Sequence, residues 1–277
     1  MVPFTLTTTT HMPSELNGTT SGSSSSSSTK GGGELNAIQL HLTLNGALKH
    51  TAVVEPDRGI TYIDGSMTTF QSYAELLASS RRALGALNAI DGLTTGQTLV
   101  LQIVERQVHF AFFWGCLLGG IIPVTIAIPP RHEASNAVVL KLLSTITQLD
   151  ARNVLASTAN VAMLRALVPA AVCVLDAHAL EWSRADERGD VIAEAAITAE
   201  HVAFYQLTSG STGTPKVIPE RHGAVISHIR HSAVHCGYTR SDVTLNWLPF
   251  DHVVPMLTCH LADVYLGRHS VQVRQLS

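Results

Sequence analysis

Residues 110–128 contain no charged side chain. A stretch of that length either crosses a membrane or is enclosed by protein on every side. Three features favour enclosure. Gly119-Gly120 interrupts the run, Pro123 follows, and the second half (Ile121, Ile122, Val124, Thr125, Ile126, Ile128) is mainly β-branched. A buried helix, a glycine stop and a buried strand explain that order, and no membrane span is expected.

The flanking segments repeat the theme. Residues 59–70 read as two short strands around an Asp64-Gly65 turn. A helix follows with Leu76, Leu77, Ala83, Leu84 and Leu87 on one face and Arg81 and Arg82 off it. Residues 98–104 are apolar and β-branched, bounded by Gly96 and Glu105, and read as a buried strand. Downstream, 137–149 and 161–167 suit helices, whereas 154–156, 171–175 and 202–207 suit strands. Apolar strands alternating with helices predict an α/β fold, a mostly parallel sheet with helices on both faces. Residues 184–189 are a charged connector.

A 277-residue chain with 45% apolar residues can bury a large core. Its net charge of −3 gives no basic field for nucleic acid. Cys116, Cys173, Cys236 and Cys259 are far apart and form no C-x-x-C pair, as in a reducing compartment. No charged-then-apolar leader opens the chain, and a cytoplasmic protein is expected. Residues 1–33, rich in Ser, Thr and Gly, read as a disordered tail or linker, and 34–277 as the folded part. His228, His231 and His235 recur at helical spacing, but no Cys or carboxylate set completes a metal site, and none is expected.

Thr208-Ser209-Gly210-Ser211-Thr212-Gly213-Thr214-Pro215-Lys216 follows the strand at 202–207 and precedes a segment, 221–236, that reads as a helix. Strand, glycine-rich loop and helix suit phosphate binding, because glycines let backbone N–H groups converge on an anion. The hydroxyls add donors and Lys216 a positive charge. The loop is not a Walker A motif, since Thr214 and Pro215 separate Gly213 from Lys216. By itself such a loop is equally a solvated connector.

Its residue order resembles the phosphate signature T-S-G-S-T-G-x-P-K-G of the adenylate-forming superfamily, with Val217 replacing the last glycine. That superfamily includes acyl-CoA synthetases, fatty-acyl-AMP ligases and adenylation domains of nonribosomal peptide synthetases. Further landmarks agree in order. Ser72-Tyr73-Ala74-Glu75-Leu76 resembles the family's T/S-Y-x-E-L. Residues 113–124 resemble L-x-A-G-x-x-x-V-P. Asn246-Trp247-Leu248-Pro249-Phe250-Asp251-His252 resembles L-P-x-x-H or F-D-x-S, most nearly as in fatty-acyl-AMP ligases and nonribosomal-peptide-synthetase-like enzymes.

The resemblance implies the first part of the large N-terminal adenylation domain. It implies ATP-dependent activation of a carboxylic acid to an acyl-adenylate, with Mg2+ on the phosphates, for transfer to a carrier-protein or CoA thiol. Thr208, Ser209, Gly210, Ser211, Thr212, Gly213 and Lys216 are its expected phosphate residues, and Asp251, His252 and Val253 border the acyl pocket. In amino-acid-activating relatives an aspartate there holds the substrate's ammonium. One register puts Val253 at that position, implying an acid without an α-amino group; the other puts Asp251 there. The family's adenine-, ribose- and lysine-bearing segments are expected beyond Ser277, so the chain alone is expected to be inactive. Two alternatives stay open, a non-catalytic nucleotide-binding or interaction fragment and, less favoured by the loop, a phosphate-loop ATPase.

Overall fold

The computed structural model describes residues 41–129, 133–180, 193–208 and 215–273. The expected tail at 1–33, the connector at 184–189 and loop residues 209–214 lie outside them.

Helix α1 (Leu44–Val54) precedes strands β1 (Gly59–Asp64) and β2 (Met67–Ser72). These pair antiparallel around Gly65, whose φ of 60° is the left-handed conformation expected of that turn. Helix α2 (Tyr73–Asn88) starts at a capping box, where the Ser72 hydroxyl accepts from Glu75 N and the Glu75 carboxylate accepts from Ser72 N. Thus the Ser-Tyr-x-Glu-Leu motif is a strand-to-helix hinge. The predicted face is buried, with Leu76, Ala83, Leu84 and Leu87 fully enclosed.

The uncharged stretch resolves as read. Strand β3 (Thr98–Gln102) leads into helix α3 (Arg106–Gly119), Gly120 ends it in the left-handed conformation, and strand β4 (Ile122–Thr125) follows. His109 through Gly119 are all buried, which requires partners on every side of α3. They come from both sheets: Phe110 meets Tyr62 on β1, and Phe113 meets a phenylalanine of the later strand at 202–208. Each such aromatic ring contributes about 1.5–3 kcal/mol by leaving water. Among the described residues, no helix is long and apolar enough to cross a membrane.

Helix α4 (Ala137–Leu149), strand β5 (Asn153–Ala156), helix α5 (Thr158–Leu167) and strand β6 (Cys173–Asp176) continue the alternation. Then come β7 (Val202–Thr208), β8 (Lys216–Arg221), helix α6 (His222–Cys236) and β9 (Val243–Asn246). A π-helical turn (Pro255–Leu261), helix α7 (Ala262–Leu266) and β10 (His269–Val273) complete the order.

The strands are parallel apart from β2 and β8, as expected, but they make two sheets. One has the order β6-β5-β3-β4-β7-β8, the other β2-β1-β10-β9. Strand β1 pairs with β10 from the far end of the chain, with Ile60 opposite Ser270. Local pattern carries no record of such a partner.

The loop's exit corrects a further expectation. It runs into β8, which pairs antiparallel with β7, and only then into a helix. Val217 and Ile218 favour extended backbone immediately after the loop. Pro219 is tolerated because β8 is the sheet's edge and needs no outward N–H. The loop therefore closes a hairpin, and the helix N-terminus invoked for anion binding lies a whole strand away.

Candidate functional site

The hairpin sets two loop residues opposite one another. Thr208, last on β7, is the register partner of Lys216, first on β8. Lys216 is exposed and Thr208 half-buried. Ser209, Gly210, Ser211, Thr212 and Gly213 span the interval outside the described residues. The hydroxyl and ammonium thus flank the loop at the C-terminal end of a β7 that is parallel to β4, the end at which open α/β sheets receive ligands.

A second segment comes to the same end from the other sheet. After β9 the chain turns through Trp247, Leu248 and Pro249 to Phe250 and Asp251. Gln206 of β7 reaches across, its Nε2 donating to Asp251 O at 3.0 Å. That bond ties 247–251 to the strand that carries the loop.

Buried polar side chains shape this segment. Asn246 Nδ2 donates to Gln272 Oε1 at 2.9 Å, and Asn246 Oδ1 accepts from Leu248 N at 3.1 Å. Arg106, the first residue of α3, donates to Gln272 Oε1 at 2.8 Å and to Leu248 O at 3.2 Å. Its guanidinium also lies over the Phe250 ring, 5.2 Å from the centroid. Phe250 in turn packs edge-on against Phe110, centroids 4.7 Å apart. Phe113, Thr125, Phe204, Gln206, Phe250 and Met256 line a narrow crevice beside it.

The three pocket candidates separate here. Asp251 is buried, and its Oδ1 has no hydrogen-bond partner among the described residues. His252 is exposed, and Val253 is 43% exposed. His228, His231 and His235 all stand exposed on α6, with His231 Nδ1 2.6 Å from Ser227 O.

Two histidines behind the segment are buried. His260 stacks on Phe110 at 3.7 Å and accepts from Trp114 Nε1 at 2.9 Å. Burial, then neighbouring His109, lowers its pKa to about 3. Burial, then Arg106, lowers that of His109 to about 4. Both are therefore neutral packing groups at pH 7 and not proton carriers for the site.

Arg106, Gln206 and Gln272 lie outside every motif, and Asn246 stands in one only as the residue before Trp247. A glutamine within the apolar run Ala203-Phe204-Tyr205-Gln206-Leu207 was the available signal, because a polar side chain on a buried strand must find a partner.

The model of a family described as AMP-binding enzyme matches residues 48–276. Microperfuranone synthase of Emericella nidulans is 31% identical over 205 residues, 72% of this chain and 21% of the synthase. Among solved structures, the McyG A-PCP complexed with phenylalanyl-adenylate superposes with a TM-score of 0.77 at 28% identity, over 84% of this chain and 36% of that one. The adenylation domain of a keto acid-selecting NRPS module, bound to keto acyl adenylate, gives 0.75 at 26% identity, over 85% and 43%. The chain thus spans about a fifth of that curated relative and less than half of these solved chains.

Proposed function

Since this chain belongs to the AMP-binding enzyme family, we propose that it contributes the phosphate- and acid-binding part of an enzyme that activates a carboxylic acid with ATP. The carboxylate attacks the α-phosphorus, pyrophosphate leaves, and an acyl-adenylate forms. The observation that carries this reading is the hairpin register, which sets Thr208 opposite Lys216 at the mouth of the loop. The domain assignment, 34–277 as a partial adenylation domain behind a linker at 1–33, belongs to the same proposal.

In it, the Lys216 ammonium faces the β- and γ-phosphates and the Thr208 hydroxyl donates to a phosphate oxygen. The loop N–H groups and the hydroxyls of Ser209, Ser211 and Thr212 complete the cradle, with Gly210 and Gly213 allowing close approach. Fixed donors on the leaving pyrophosphate stabilise the charge that develops there. Mg2+ would be carried on ATP, since this hard ion usually keeps waters and phosphate oxygens and needs few protein ligands, and there it would neutralise phosphate charge.

The acid occupies the region bordered by Asp251, His252 and Val253. With no carboxylate at Val253, an α-ammonium would lack a counter-charge there, and keto, aryl or fatty acids are favoured. A second register has its own support: the unpartnered Oδ1 of Asp251 could receive an ammonium. The acceptor of the acyl group is a carrier-protein domain or CoA. This fits the McyG match, whose A-PCP structure joins the two domains.

Titration calorimetry with Mg-ATP and with AMP tests the nucleotide assignment. Lys216→Ala should weaken ATP about tenfold or more, as for loss of a charge-assisted bond, and leave AMP nearly unchanged. Equal loss of both would refute it.

A further inference from the structure

We propose that Arg106 is the positioning residue of the acid-binding segment: its guanidinium gathers the chain at 246–250 and sets the direction in which 251–253 leave. The inference rests on the acid-site reading above and extends it to a residue outside the motif.

The guanidinium makes hydrogen bonds to the carbonyls of Asn246 at 3.3 Å, Trp247 at 3.3 Å and Leu248 at 3.2 Å, and to Gln272 Oε1 at 2.8 Å. Three consecutive carbonyls turned to one group define a tight bend, and a planar fork of donors matches it as a flexible ammonium does not. Its face covers Phe250, so the same group fixes the next aromatic side chain.

Arg106 does not stand where a cation is otherwise favoured. It opens helix α3, the end at which the helix dipole attracts negative charge. The adjoining carboxylate does not neutralise it: Glu105 Oε2 accepts from Ser157 Oγ at 2.7 Å and meets His178 Nε2 at 3.3 Å. Among the described residues, the hydrogen bonds of Arg106 all go to neutral oxygens. A cation placed against the dipole, partly desolvated and held by main-chain carbonyls serves the shape of that chain. Because α3 also carries Phe110 and Phe113, Arg106 couples the helix between the sheets to the bend after β9.

Hydrogen exchange on the full chain tests this with Arg106→Met and Arg106→Lys. In Arg106→Met the amides of 247, 248 and 250–253 should exchange at least tenfold faster, whereas those of β3, β4 and the middle of α3 stay within twofold of wild type. Arg106→Lys should recover only part of the protection. With 5-fluorotryptophan labelling, the fluorine resonance that Trp247→Phe removes should shift in Arg106→Met while that of Trp114 stays in place. Unchanged exchange at 247–253, or equal acceleration across the chain, would overturn the proposal. Mg-ATP titration of the same proteins separates the two readings. ATP affinity should match between wild type and Arg106→Met. Failure of the wild type to bind ATP would remove the nucleotide assignment but leave the exchange result standing.

Discussion

The indole Nε1 of Trp114 donates to Nε2 of His260 at 2.9 Å, joining the helix between the sheets to the π-helical turn. The bond requires a neutral imidazole acceptor. Protonating His260 would remove it and place a charge against Phe110.

Stability should therefore fall with pH. His260 and His109 have folded pKa values of about 3 and about 4, lowered chiefly by burial from 6.5. Such groups contribute stability that is present above the unfolded value and lost as pH falls towards the folded one. Each should cost about 2 kcal/mol between pH 7 and pH 5. Asp263 acts oppositely: burial, opposed by Arg268, raises it to about 6, so its contribution is full below 3.8 and lost as pH rises through 6. Two histidines outweigh one aspartate, and urea midpoints should drop from pH 7 to pH 5. A flat profile would contradict this balance.

Asp263 and Arg268 form a buried pair, Oδ1 to Nη2 at 2.7 Å, both nearly inaccessible to solvent. Thr244 Oγ1 donates to the same carboxylate oxygen, and the hydroxyl of Tyr73 donates to Arg268 O. Arg268→Met strands the carboxylate and should cost about 3–5 kcal/mol at pH 7. Adding Asp263→Asn should restore part of that loss. Denaturant titration of both variants is the check, and additive losses would refute the coupling.

Gly115 and Gly119 let α3 lie close against α2. A Cβ on Gly115 would meet Ser80 O at 3.0 Å, and one on Gly119 would meet Leu84 Cδ1 at 2.5 Å. Gly115→Ala confronts backbone and should cost about 1–3 kcal/mol, as overpacking does. Gly119→Ala meets a movable side-chain tip and should cost less. Thermal melts of the pair would read the difference, and the reverse order would show that α2 yields more easily than Leu84.

In a longer protein that carries this chain together with the expected adenine-, ribose- and lysine-bearing segments, the acid can be assigned by pyrophosphate exchange with keto, aryl, fatty and amino acids. The Val253 register predicts exchange with acids that lack an α-amino group, and little effect of Asp251→Asn on the choice of acid. Exchange with amino acids alone, abolished by Asp251→Asn, would transfer the role to the Asp251 carboxylate.

Much of this architecture follows from local chemistry. The break at Gly119-Gly120, the Ser72/Glu75 capping box and the helix at 137–149 depend on residues a few positions apart, so periodicity and capping rules locate them. The glycine-rich motif at 208–216 is likewise a contiguous string. Tertiary structure decided the partners. That β1 lies beside β10, and that the strands divide into two sheets, depends on contacts between distant segments. The helix read at 221–236 is present at His222–Cys236, but the strand between it and the loop was settled by β8 finding β7. Nothing in the sequence links Arg106, Gln206, Asn246 and Gln272; they become a set only when α3, β7, β9 and β10 converge. A short motif records what a stretch of backbone can do, whereas the groups that hold it in place are selected by the desolvation each would suffer without its partner.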